Sequence, residues 1–105
     1  MANICSNKFY ITSDEPEIIQ KVCDKLNKLF ETTLDGEIDF SDEYIIEGFF
    51  DSRWDFPAHI FENFFDEFND SSLYMRCLSE EYGCEVVSMS IYSENNWRPI
   101  QYFDL

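Results

Sequence analysis

A chain of 105 residues with 22 Asp and Glu against 7 Lys and Arg carries a net charge of −15, a field that repels DNA, RNA and anionic membranes and attracts cationic surfaces. Yet 45% of the residues are hydrophobic and 18% are aromatic, which excludes the aromatic-poor composition of a disordered acidic chain and fits one folded domain over residues 1–105. The opening Met1-Ala2-Asn3-Ile4-Cys5 has no basic stretch leading into an apolar run, so no secretory signal is expected, and no apolar run approaches the ~20 residues of a membrane span.

The first strand is expected over Lys8–Thr12, with Phe9 and Ile11 on one face and Tyr10 and Thr12 on the other. Ser13-Asp14-Glu15-Pro16-Glu17 then reads as a helix start, with Asp14 as the cap. The helix runs to about Phe30 on a stripe of Ile19, Val22, Cys23, Leu26, Leu29 and Phe30, leaving Lys21, Lys25 and Lys28 outward. Asp35-Gly36 reads as a turn. Glu37–Ser41 alternates, with Ile38 and Phe40 inward and Glu37 and Asp39 outward. After a turn at Ser41-Asp42-Glu43 comes a strand over Tyr44–Asp51, with Ile46 and Phe50 on one side and Glu47 and Asp51 on the other.

Asp55-Phe56-Pro57 opens a second helix, expected over Ala58–Asn69. Its inward stripe is Ile60, Phe61, Phe64, Phe65 and Phe68, and its outward face carries Glu62, Asn63, Asp66, Glu67 and Asp70. Strands follow over Leu73–Leu78 and, after a turn at Glu80-Glu81-Tyr82-Gly83, over Glu85–Ser93 with Val87, Met89 and Ile91 on one side. Asn95-Asn96 turns the chain into Trp97–Phe103, which Pro99 marks as an edge strand. The order β-α-β-β-α-β-β with this further edge strand is α+β. Its simplest closure is a ferredoxin-like split β-α-β: an antiparallel sheet with two helices on one face and extra C-terminal strand structure.

The acids are concentrated. Between Phe30 and Met75 thirteen carboxylates stand against Arg53 alone, giving that stretch −12 of the −15. Glu62, Asp66 and Asp70 recur every four residues, where like charges destabilise a helix by about 0.2–0.5 kcal/mol per pair. Glu37, Asp39, Glu47 and Asp51 crowd one side of a hairpin, which is also unfavourable. Folding gives no reason for either. These residues, with Glu67, are the candidate partner-binding set. Trp54 and Phe49, beside the acidic turn, are candidate aromatic anchors within it.

No catalytic residue, cofactor or metal is expected. Asp42-Glu43 and Glu80-Glu81 are adjacent acids without a nucleophile, and His59, the single histidine, reads as a surface residue. Cys5, Cys23, Cys77 and Cys84 contain no C-x-x-C pair, and no calcium-loop spacing occurs. Four cysteines without a signal fit free thiols in a reducing cytoplasm. Stacking on bases needs a basic groove beside the rings, and none is present, so direct nucleic-acid binding is not expected. Trp97, Arg98 and Tyr102 form a second, less acidic patch suited to self-association as a homodimer.

Three stretches carry a family pattern: Asn3-Ile4-Cys5-Ser6-Asn7 before the first strand, Trp54-Asp55-Phe56-Pro57 before the second helix, and Glu81-Tyr82-Gly83 between late strands. Together they resemble the YubB-type ferredoxin-like domain family of plasmids and phages. The chain departs from that pattern at Ile4, where an aromatic is usual, and near Val87-Ser88, where a glycine is usual. The resemblance implies the fold and a mobile-element origin; it brings no active site. The expectation is therefore a non-enzymatic inhibitor that mimics nucleic acid and occupies the basic groove of a host defence protein, such as a CRISPR effector or restriction enzyme. The alternatives are an immunity protein or antitoxin that neutralises a basic nuclease, and a binding module whose acidity serves only solubility.

Overall fold

Alternation along residues 5–11 sets the architecture. Cys5, Asn7, Phe9 and Ile11 are buried, while Lys8 is exposed and Tyr10 is half-buried. In a computed structural model that describes residues 4–53, 56–81 and 86–103, this segment is β1 (Ile4–Thr12). It is followed by α1 (Pro16–Thr32), β2 (Asp35–Ser41), β3 (Ile45–Arg53), α2 (Ala58–Phe61), β4 (Tyr74–Glu81), β5 (Val86–Ser93) and β6 (Asn96–Phe103). The strands form one six-stranded antiparallel sheet in the order β2-β3-β1-β4-β5-β6. The fold is thus α+β, with β1 in its interior and β2 and β6 at its edges. Pro99 lies on the edge strand β6, where its missing N–H is tolerated.

One face of the sheet is covered. Phe9, Ile11, Ile46, Phe50, Met75, Cys77 and Tyr92 project from it into a core closed by Ile19, Val22 and Leu26 of α1 and by Phe61, Phe64, Phe65 and Phe68. Each fully buried apolar side chain contributes about 1.5–3 kcal/mol, so the α1 stripe and the phenylalanine cluster are the main source of stability. Phe50 has ring neighbours in Phe9, Phe30, Phe56 and Phe61, with centroids 5.5–6.5 Å away. Among the described residues no helix is long and apolar enough to cross a membrane.

The structure departs from the sequence reading at several points. The second helix ends at Phe61 rather than Asn69. Beyond it the chain continues in tighter turns, with the N–H groups of Phe64, Asp66 and Phe68 bonded three residues back to the carbonyls of Phe61, Asn63 and Phe65. Two carbonyls that a continuing helix would use are claimed by side chains: Trp97 Nε1 donates to Phe61 O at 3.0 Å, and Lys25 Nζ donates to Phe64 O. Asn63, Asp66 and Asn69 are also weak helix formers. The phenylalanine stripe still points inward, but the winding changes. Lys25 accordingly leaves the outer face of α1; it pairs with Glu67 at 2.6 Å and lies 4.4 Å from the Phe64 ring centre.

Phe40 is 49% exposed instead of inward. The β2–β3 register slips between Ile38 and Phe40, so Asp39 is an extra residue and the alternation reverses after it. Asp35-Gly36 is no turn but the start of β2. A Cβ on Gly36 would lie 2.6 Å from Phe50 Cβ, and one on Gly48 would lie 2.3 Å from Glu37 O, so these glycines let β2 and β3 close under the core. Ser13 replaces Asp14 at the helix start: its Oγ accepts the Glu15 N–H at 3.0 Å, and no side chain caps α1. The β5–β6 turn is Glu94-Asn95, both with positive φ (51° and 62°), and Asn96 already belongs to β6.

Candidate functional site

The face of the sheet opposite the helices carries no covering element among the described residues. On its β2–β3 side, register sets Asp35 directly opposite Asp51, Glu37 opposite Phe49 and Phe40 opposite Glu47. Side chains paired in this way sit about 4.5–5.5 Å apart at Cβ, and like charges there are unfavourable. Glu37, Asp39, Glu47 and Asp51 are exposed and form no side-chain hydrogen bond or ion pair with other described residues. Apolar surface is interleaved with them: Phe40, Tyr44 and Phe49 are 49%, 49% and 37% exposed. The turn between the strands is held by Asp42 Oδ1, which accepts the N–H groups of Tyr44 and Ile45, both at 2.8 Å. The hairpin therefore presents acids and rings on a rigid frame.

The second group of expected residues lies elsewhere. Glu62, Asp66 and Glu67 are exposed in the layer that covers the other face of the sheet. They form no i, i+4 row, because the helix that would align them stops at Phe61. Asp66 is close enough to Tyr92 that its charge, after burial, helps push the phenol up. Asp70 is drawn inward. Ser13 Oγ and Ser72 Oγ donate to its carboxylate, as does the Ser72 N–H at 2.9 Å. Partial burial alone would raise this carboxyl; the three donors outweigh that and hold it below its ordinary value. Asp70 is thus a clasp between the end of β1 and the lead into β4. The eight expected carboxylates divide between two opposite sides of the molecule. Trp54 lies outside the described residues.

Trp97 belongs to the interior side, packed at tilted and edge-on angles among Phe56, Phe61, Phe65 and Tyr92 with centroids 5.3–6.3 Å away. It does not form an outer patch with Arg98. His59 is exposed at α2, as expected. Near it a cleft of about 430 Å³ opens between α2 and β6 against Phe56, Glu62 and Trp97.

A buried polar cluster was not foreseen. Asn7 is fully buried on β1; its Nδ2 donates to the carbonyls of Cys5 (3.2 Å) and Phe50 (3.1 Å) and to Ser52 Oγ (2.9 Å). Its Oδ1 accepts from Ser79 Oγ at 2.7 Å and from the Cys5 thiol at 3.7 Å. The signal was available, since Asn7 precedes Phe9 by two residues and shares its inward face. Burial pushes the neighbouring Cys77 thiol up to about 12, and it raises Cys23 as well. Among the described residues no group of three or more His, Cys, Asp or Glu is placed to hold a metal ion.

No family model, curated protein or solved structure matches the chain.

Proposed function

We propose that the β2–β3 hairpin is a docking surface for a cationic protein, and that the chain works as a non-enzymatic mimic of nucleic acid on a nucleic-acid-binding host protein. The observation that carries this reading is Asp35 facing Asp51 across the hairpin, with Glu37 and Glu47 on the same face and exposed Phe40 and Phe49 between them. A hairpin shaped by folding alone gains from opposite-charge or apolar pairs at such positions. Carboxylates beside exposed rings suit a partner that brings Lys and Arg to the acids and apolar or guanidinium surface to the rings. The mobile-element origin belongs to the same proposal, through the resemblance to YubB-type domains, and the inhibitor role follows from occupation of the partner's basic groove. The split β-α-β reading of the fold rests on the order β2-β3-β1-β4, with α1 between β1 and β2 and α2 between β3 and β4; β5 and β6 extend it.

The test is a partner captured from host lysate at low salt, followed by association rates across a salt series. Glu37→Lys with Glu47→Lys should slow association at least about tenfold at low salt, with a smaller difference at high salt. Short duplex DNA or RNA should compete. Glu62→Lys with Asp66→Lys, on the opposite side, should change the rate little. Equal rates for wild type and the hairpin variant would overturn the docking surface; slowed rates without nucleic-acid competition would overturn the mimicry.

A further inference from the structure

The uncovered face of the sheet is unlike the rest of this acidic protein. Strand alternation places all three arginines, Arg53, Arg76 and Arg98, on it together with Lys8. The remaining cations, Lys21, Lys25 and Lys28, belong to α1. Register aligns one row across the sheet: Phe40, Glu47, Tyr10, Arg76, Ile91, Arg98. The row is acidic near the β2 edge and cationic toward the β6 edge, with aromatic and apolar groups between. Arg76 already lies 4.8 Å from the Tyr10 ring centre, which fixes both on this face. The next row runs Glu37, Phe49, Lys8, Leu78, Met89, with its charges on the β2 and β1 side and apolar surface toward β5.

We infer that this face is the interface of an isologous homodimer, two copies packed sheet to sheet about a two-fold axis that runs parallel to the strands between β1 and β4. That axis lays β2 over the partner's β6, β3 over its β5 and β1 over its β4. Glu47 of each copy then lies over Ile91 of the other, between Arg76 and Arg98, and Phe49 lies over Met89. A two-fold axis across the strands along this row would instead place β3 on β3 and Glu47 on Glu47, so among arrangements that lay the row on itself the charge pattern selects the first. The third row, Asp35, Asp51, Ser6, Glu80, is acidic on both halves and falls at one end of the strands, at the wet rim of the contact. Six strands about 4.8 Å apart, each about eight residues long, offer about 600–700 Å² per copy. That is slightly under the ~800 Å² per partner of a standard stable interface, so the dimer should dissociate on dilution. The composition is that of an interface, rich in Arg, Tyr, Phe and Met. This inference does not rest on the docking proposal; the two meet at Glu47, for which a cationic partner and a second copy would compete.

The test uses the full chain alone, by sedimentation from low micromolar to near-millimolar concentration. The expected mass doubles from 12.6 kDa per chain as concentration rises. Arg76→Glu and Glu47→Arg should each weaken association at least about tenfold, and circular dichroism should show both variants folded, since both side chains are exposed. Mixing the two variants should restore the dimer. The cation introduced at position 47 of one chain then meets the carboxylate introduced at position 76 of the other, while the native Glu47–Arg76 contact forms at the symmetric place. A monomer at every concentration would overturn the interface. So would a dimer indifferent to both substitutions, or variants that mixing fails to rescue.

Discussion

The two faces of the sheet are made of the same strands and obey opposite rules. On β3, Ile46 and Phe50 are fully buried while Glu47, Phe49 and Asp51, alternating with them, are exposed. The covered face is a close-packed set of rings and aliphatic groups in which each volume is used. The uncovered face is a pattern of charge and half-exposed rings that folding does not require. Side chains on the first face therefore bear mainly on stability, while those on the second can change with little effect on folding.

Adjacent residues of β3 should differ most. Phe50→Ala should lose about 3–5 kcal/mol of folding stability, enough to unfold much of the population of a domain of ordinary stability. Phe49→Ala should stay within about 1 kcal/mol of wild type. Urea denaturation of both proteins decides it; similar losses would mean that the two faces are not distinct in energy.

A middle-sized effect is expected at Asn7. Asn7→Ala takes a donor from the Phe50 carbonyl and the acceptor from the buried Ser79 hydroxyl, and the loss of a partner by a buried polar group costs about 1–3 kcal/mol. Asn7→Asp, which replaces the Nδ2 donor with an acceptor among acceptors, should be worse than Ala. A thermal melt in which Asp is tolerated better than Ala would refute the assigned hydrogen-bond directions.

The smallest effect belongs to Asp70 and appears as pH dependence. Its carboxyl is held low in the folded protein. Its contribution is therefore complete above the unfolded value of ~3.9 and is lost as pH falls through the lower, folded value. Asp70→Asn should lower the melting temperature at neutral pH and flatten the decline of stability below about pH 4. Parallel melting curves for variant and wild type across that range would show that charge is not what clasps Ser13 and Ser72.

The strands and the inward residues were largely legible in the sequence, because alternation is local and the Phe, Ile and Leu positions announce their own side. Three features were not. The phenylalanine stripe from Phe61 to Phe68 says which way those rings face, but the winding of the chain is decided by Trp97 and Lys25, which compete for its carbonyls from far away in sequence. One extra residue at Asp39 turns Phe40 outward, and nothing in a short alternating run marks which residue is extra. Asp70 looks like the next acid in a row until Ser13, 57 residues earlier, is brought beside it. The acidic hairpin itself was legible, down to Glu37, Glu47 and Asp51 on one side. That Glu62 and Asp66 belong to a different side was not, since it depends on the layer order.

The interior position of β1 delays the completion of its pairing. Its residues pair on one flank with Ile45–Arg53 and on the other with Tyr74–Glu81, so a nascent chain carries β1 with one open edge until Glu81 has been made. Such distant pairings slow folding relative to a helical bundle, and a strand with an open edge invites pairing with its neighbours on other chains. During that wait the segment already synthesised between Phe30 and Met75 holds thirteen carboxylates and one cation. Two unfinished chains carrying that charge repel one another, which opposes such pairing.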